Sequence, residues 1–112
     1  MVKVTTPPPD PFRAVRARLR AWRDSKGLKG ERLHAVTGIS PAFWSNIETG
    51  RWAINADGET IFKRPDGLNS LLIEALTDGL VRVEDWLTAE ERRRLAKARA
   101  FASTDSDAGG AS

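Results

Sequence analysis

Ser40-Pro41, set between Gly38 and Gly50, constrains this chain more tightly than any other feature. A serine oxygen can accept from a free helix-start amide, and proline suits the first helical turn, where its missing N–H costs nothing. Glycine just past a helix end readily takes the left-handed conformation. The punctuation therefore predicts a short helix over 41–49 and another over 30–37, ending at Gly38. In the 41–49 helix, Phe43, Trp44 and Ile47 share one arc, while Pro41, Ala42, Ser45, Asn46 and Thr49 share the other face. In the 30–37 helix the apolar side is Leu33 and Val36.

Similar signals organise the flanks. Asp10-Pro11 starts a helix over about 11–26 that Gly27 closes. Phe12, Val15, Leu19 and Trp22 fall within about 80° on its wheel, a stripe to be buried. Arg13, Arg16, Arg20 and Arg23 form a second stripe beside it. Arg23 borders the apolar face; the other three are expected on phosphate or in solvent. After Gly50 the period changes. Asp57-Gly58 predicts a two-residue hairpin turn within 52–63, with Ile54 opposite Ile61 and Ala53 opposite Phe62. Pro65-Asp66 opens a helix to about 79 that buries Leu68, Leu71, Leu72, Ala75 and Leu76 and exposes Ile73. A helical turn follows at Val83–Leu87. Thr88 with Glu91 is a capping box opening a last helix over 89–101, with Leu95, Ala98 and Phe101 as its thin apolar side. Residues 1–9 read as a flexible tail and 103–112 as a disordered one, leaving one domain over 10–102.

Composition narrows the function classes. A chain of 112 residues without Cys and with one His offers no disulfide scaffold, thiol chemistry or Cys-based zinc site. No metal or cofactor is expected, and His34 reads as a surface residue. No apolar run is long enough to span a bilayer and no signal-peptide pattern opens the chain, so a cytoplasmic protein is expected. No nucleophile–base–orienter set or phosphate-cradling loop suggests an enzyme. Residues 1–32 hold nine Lys/Arg against three Asp/Glu, whereas the remainder holds nine against twelve. A basic first third is the electrostatic footprint of a nucleic-acid binder.

Two short helices joined by a Gly-containing turn form a helix-turn-helix arrangement. The stretch Leu28–Gly50, LKGERLHAVTGISPAFWSNIETG, resembles that unit in the phage lambda-type repressor and Cro family. Leu28, Leu33, Gly38, Ile39, Ser40, Ile47, Glu48 and Gly50 match its pattern without a gap. Leu19-Arg20, Arg23 and Gly27 upstream, with Lys63-Arg64-Pro65 downstream, extend the likeness over about 12–87. Lys29 and Gly30 depart from the family's capping Ser and DNA-touching Gln. His34 replaces a small Ala, Trp44 an aliphatic residue, and about ten extra residues separate Gly50 from Pro65.

The resemblance implies an all-α, lambda-repressor-like bundle of five to six helices with a β-hairpin inserted after the recognition helix. It implies a sequence-specific DNA-binding transcriptional regulator, repressor-like or Cro-like, from a bacterium or its phage. Double-stranded DNA is then the partner, with a second copy of the chain; the hairpin, Ile73 and the last helix are candidate dimer surfaces. A second reading is a protein-binding helix-turn-helix, such as an antitoxin or antirepressor.

Helix 41–49 would enter the major groove, where side chains near a helix start reach base edges. Asn46 can pair bidentately with adenine, Ser45 can bond to a base or a phosphate, and Ala42 and Pro41 can pack on a thymine methyl. Thr49 and Arg51 fit phosphate contacts. Lys29 cannot cap, so the amides near Gly30 either grip a phosphate, with Lys29 as counter-charge, or are capped by water. Lys63 and Arg64 would serve phosphates or the minor groove if the hairpin acts as a wing; the hairpin packing on its own domain is the other reading. Relatives pair the residues that match Arg23 and Glu48, which assigns these two to a structural ion pair.

Overall fold

The computed structural model describes residues 9–110. It contains five α-helices with a β-hairpin after the third: α1 (Arg13–Lys26), α2 (Gly30–Thr37), α3 (Pro41–Thr49), β1 (Trp52–Ile54), β2 (Thr60–Phe62), α4 (Gly67–Leu76), a 3₁₀ turn (Val83–Trp86) and α5 (Ala89–Gly110). The tail expected over residues 1–9 falls almost wholly outside the described residues, as do 111–112.

The caps explain most boundaries. The Ser40 hydroxyl accepts from the Phe43 amide at 3.1 Å, and Asp66 accepts from the Asn69 amide at 2.8 Å. Thr88 and Glu91 exchange backbone-to-side-chain bonds at 2.8 and 3.2 Å, the expected capping box. Gly27, Gly38 and Gly50 each follow a helix at positive φ. At the first helix the start differs from expectation. Asp10 caps a turn through the Phe12 amide at 2.9 Å, so α1 begins at Arg13 and Phe12 stands before it.

α1 and α2 both pack on α3, and α4 packs on the 3₁₀ turn. The shared core is Phe12, Val15, Leu19, Leu33, Ile39, Trp44, Ile47, Ile73, Val81 and Trp86. Removing such side chains from water stabilises by roughly 1.5–3 kcal/mol apiece. Val36, expected inside, is exposed because α2 turns only Leu33 to the core.

The hairpin departs from expectation in its turn and its register. Asn55, rather than Asp57, organises the turn. Its amide donates to the Glu59 carbonyl at 2.9 Å, and its Oδ1 accepts from the amides of Asp57 at 3.0 Å and Glu59 at 2.9 Å. In this turn only Gly58 has positive φ, at 79°. A two-residue type I′ turn would need Asp57 left-handed as well, so the chain adopts a longer loop closed by a left-handed glycine. The register moves by one: Trp52 pairs with Phe62, Ala53 with Ile61 and Ile54 with Thr60. Phe62 packs against the core, while Ile54 and Ile61 stay exposed.

α4 is rotated from expectation. Ile73, expected outside, is 0% exposed, and Ser70 and Thr77 are buried with it. Leu68 and Leu71 are instead 67% and 57% exposed. The buried hydroxyls are satisfied locally. Ser70 donates to the Asp66 carbonyl at 2.8 Å, and Thr77 donates to the Ile73 carbonyl at 2.8 Å while accepting from the Val81 amide at 3.1 Å. A hydroxyl bonded within its own helix costs little to bury. The helix also stops at Leu76 rather than 79, because Asp78 and Gly79 both take positive φ.

α5 runs past 101 to Gly110, since no proline or glycine interrupts it before Gly109. Of its expected apolar side only Leu95 is half-buried; Ala98 and Phe101 are exposed.

Candidate nucleic-acid interface

α3 presents two unlike sides. Trp44 and Ile47 enter the core, and Glu48 turns back toward α1. Pro41, Ala42, Ser45 and Thr49 are exposed on the outer side, with Asn46 half-buried at its edge. The Thr49 hydroxyl donates to the Ser45 carbonyl at 2.8 Å, leaving its oxygen lone pairs outward. The face carries no bulky side chain, which permits close approach of the helix backbone to a duplex.

The stripe of arginines on α1 divides. Arg23 forms the expected fork with Glu48, through Nε–Oε2 at 2.5 Å and Nη2–Oε1 at 2.9 Å. The Trp44 indole N–H also donates to Glu48. A planar guanidinium on two carboxylate oxygens is directional, so this pair fixes α3 against α1.

Arg16 corrects the expectation that it faces phosphate or solvent. It is 3% exposed. Its Nε meets Asp10 Oδ2 at 2.6 Å, Nη1 donates to the Ile47 carbonyl and Nη2 to the Lys63 carbonyl, both at 2.5 Å. All three nitrogens are engaged and the group is buried, which keeps it from a phosphate.

Arg13 and Arg20 do lie exposed. Arg13 joins Asn46, Thr49, Arg51 and Trp52 around a cleft of about 570 Å³ between α1, α3 and the hairpin. A second cleft, of about 350 Å³, is lined by Asn46, Arg51, Trp52, Ala53, Ile61 and Lys63. Asn46 thus stands where both clefts open, with three cations around it. The sequence did not single out Arg13 as a member of this group; its place within the stripe was the only signal.

Lys63 and Arg64, adjacent in sequence, part company. Lys63 is exposed, with its ammonium 4.5 Å from the centre of the Phe43 ring. Arg64 turns inward. It donates to both Glu91 oxygens at 2.5 and 2.9 Å and to the Trp86 carbonyl at 2.7 Å. The Arg64 guanidinium, helped by the Thr88 amide, pushes the Glu91 carboxyl down to about 2. Arg64, expected on phosphate or in the minor groove, is thus paired at the start of α5.

At α2, Lys29 occupies the cap position and no side chain caps it. Gly30 sits against α3: a Cβ there would lie 3.0 Å from the Pro41 Cβ. The starts of α2 and α3 consequently abut. A side chain here, such as the Gln of the resembling family, would press on Pro41, which would have to give way slightly. His34 is exposed, and no group of three or more His, Asp or Glu side chains among the described residues could hold a metal ion.

A family model described as a helix-turn-helix domain matches residues 14–57, from α1 into the hairpin turn. Over those residues the chain is similar to that domain. Helix-turn-helix units dock their second helix in the major groove of DNA. No curated protein and no solved structure matches the chain. No helix among the described residues is long and apolar enough to cross a membrane.

Proposed function

We propose that this chain is a sequence-specific transcriptional regulator of the phage-repressor or Cro kind, with α3 in the major groove of double-stranded DNA. The observation that carries the reading is the unobstructed outer side of α3, with Asn46 at its edge among Arg13, Arg51 and Lys63. In this reading Asn46 and Ser45 read base edges, and Ala42 and Pro41 pack on them. Thr49, Arg51, Lys63 and the uncapped α2 start at Lys29 and Gly30 hold phosphates. Arg13 is added to that set; Arg64 is withdrawn from it.

Selection of bound duplexes from a random DNA pool tests the reading directly. Enrichment of a defined site supports it, and recovery of no preferred sequence overturns it. Two substitutions separate the roles. Asn46→Ala relaxes preference at one base pair, at a cost of roughly 1–3 kcal/mol; unchanged discrimination across a site library removes its reader role. Arg51→Ala weakens all sequences alike and lowers the salt slope by about one unit; a loss confined to some sequences contradicts a phosphate role.

The protein-binding reading, an antitoxin or antirepressor, draws on the exposed leucines of α4. Salt separates the two, because DNA binding weakens steeply as salt rises and an apolar protein contact does not.

A further inference from the structure

The two faces of the hairpin differ in kind. Trp52 and Phe62 are paired and half-buried on one face, and Phe62 packs against the core. On the other face side chains two apart along each strand line up. The ladder continues one pair inward, because the Lys63 amide donates to the Arg51 carbonyl at 2.7 Å. Arg51 therefore stands opposite Lys63, Ala53 opposite Ile61 and, at the turn, Asn55 opposite Glu59. All six are exposed. From the domain outward this face runs from cationic to apolar to acidic.

The inner two pairs share the cleft of about 350 Å³ with Asn46 of α3. The Lys63 ammonium, 4.5 Å from the Phe43 ring centre, sets the root of the hairpin beside that helix. Neither Arg51 nor Lys63 has a carboxylate partner among the described residues. Like charges directly opposite on a ribbon are unfavourable, and an anion between them relieves the repulsion. Asp57 and Glu59 repel an anion at the outer end. A polyanionic strand would therefore cross this face near its root instead of following it to the tip. With its charge between Arg51 and Lys63, the next group along the strand lies on Ala53 and Ile61, which offer only carbon. In DNA the neighbour of a phosphate is a deoxyribose, whose C2′ methylene borders the major groove.

We propose that Ala53 and Ile61 seat one deoxyribose of the bound strand, and that Ile61 rejects a ribose there. The inference rests on the DNA-reading proposal and adds to it a residue that selects the sugar, not the base. Phosphate between Arg51 and Lys63 holds the strand in the cleft, and Asn46 meets the base edge from the opposite wall. A 2′-hydroxyl is the group that separates RNA from DNA at such a contact. Pressed onto Ile61 it would lose water and gain no hydrogen-bond partner, which is unfavourable.

The test uses the full chain and the duplex recovered by selection, with ribonucleotides placed one at a time. At one position in each bound site the wild-type chain should lose about tenfold in affinity. In Ile61→Ser that loss should shrink to about twofold or less, because the new hydroxyl can pair with the 2′-hydroxyl. Ile54→Ser, also exposed but on the opposite face, should keep the wild-type loss. Unchanged helix content by circular dichroism confirms that both variants fold. Deoxyuridine in place of thymidine, which removes a methyl and leaves the sugar alone, should affect Ile61→Ser and wild type equally. Four results would each overturn the proposal: a wild-type chain indifferent to every ribonucleotide, an Ile61→Ser chain that keeps the full loss, an Ile54→Ser chain that loses it too, or a dependence on Ile61 that follows deoxyuridine, which would assign Ile61 to a thymine methyl. In all four the duplex is still bound and the DNA-reading proposal stands; recovery of no preferred duplex overturns both.

Discussion

Arg16→Met is expected to lower the free energy of unfolding by about 3–5 kcal/mol, the cost of breaking a buried, hydrogen-bonded charge pair. Methionine fills much of the aliphatic space but donates nothing. Asp10 would lose its only ion-pair partner among the described residues, and the carbonyls of Ile47 and Lys63 would lose a charged donor. Each stranded group then bears its desolvation penalty. A small domain has only about 5–15 kcal/mol of total stability, so the variant should be largely unfolded well below the wild-type denaturant midpoint. Arg16→Lys should recover only part of the loss, since one ammonium cannot reach three acceptors in three directions. A loss below about 1 kcal/mol for the methionine variant would show the fork to be dispensable.

Gly50→Ala acts on the same junction from the other side. Gly50 has a φ of 74°, and an added Cβ would lie 2.7 Å from both Arg16 Nε and Asp10 Oδ2. Left-handed backbone costs a non-glycine residue about 1–2 kcal/mol, and parting the ion pair adds to that, for a total of about 3 kcal/mol or more. Gly58 supplies the comparison. Its φ is 79° but an added Cβ meets nothing within 4 Å. Gly58→Ala should therefore cost only the backbone part. Chemical denaturation of both variants reads the difference, and equal losses would remove the steric argument. Combining Gly50→Ala with Arg16→Met should be less than additive, because both act through one pair.

Features fixed by neighbours in sequence were legible. The caps at Ser40, Asp66 and Thr88 and the glycines after α1, α2 and α3 depend on a few adjacent residues, and those residues carry the signal. The Arg23–Glu48 pair was legible only through the resemblance to repressors. Choices made by tertiary packing were not. Arg13, Arg16 and Arg20 share one stripe, and only the positions of Asp10, Ile47 and Lys63 select Arg16 for burial. Lys63 and Arg64 differ by one step of an extended chain, which sends one outward and the other onto Glu91. α4 defeated the rule that leucines go inside, because Ser70 and Thr77 can satisfy their hydroxyls on their own helix. At the hairpin, Asn55 offered a competing turn that Asp57-Gly58 concealed.

The reach of Arg16 has a consequence for encounter with DNA. One guanidinium holds the end of α3 and the exit of the hairpin to α1, so the backbone that carries the exposed helix face and its neighbouring cations is tied together at one point. A duplex docking there would have little loop ordering to impose. Substitutions on that face should then change residence time far more than the rate of capture.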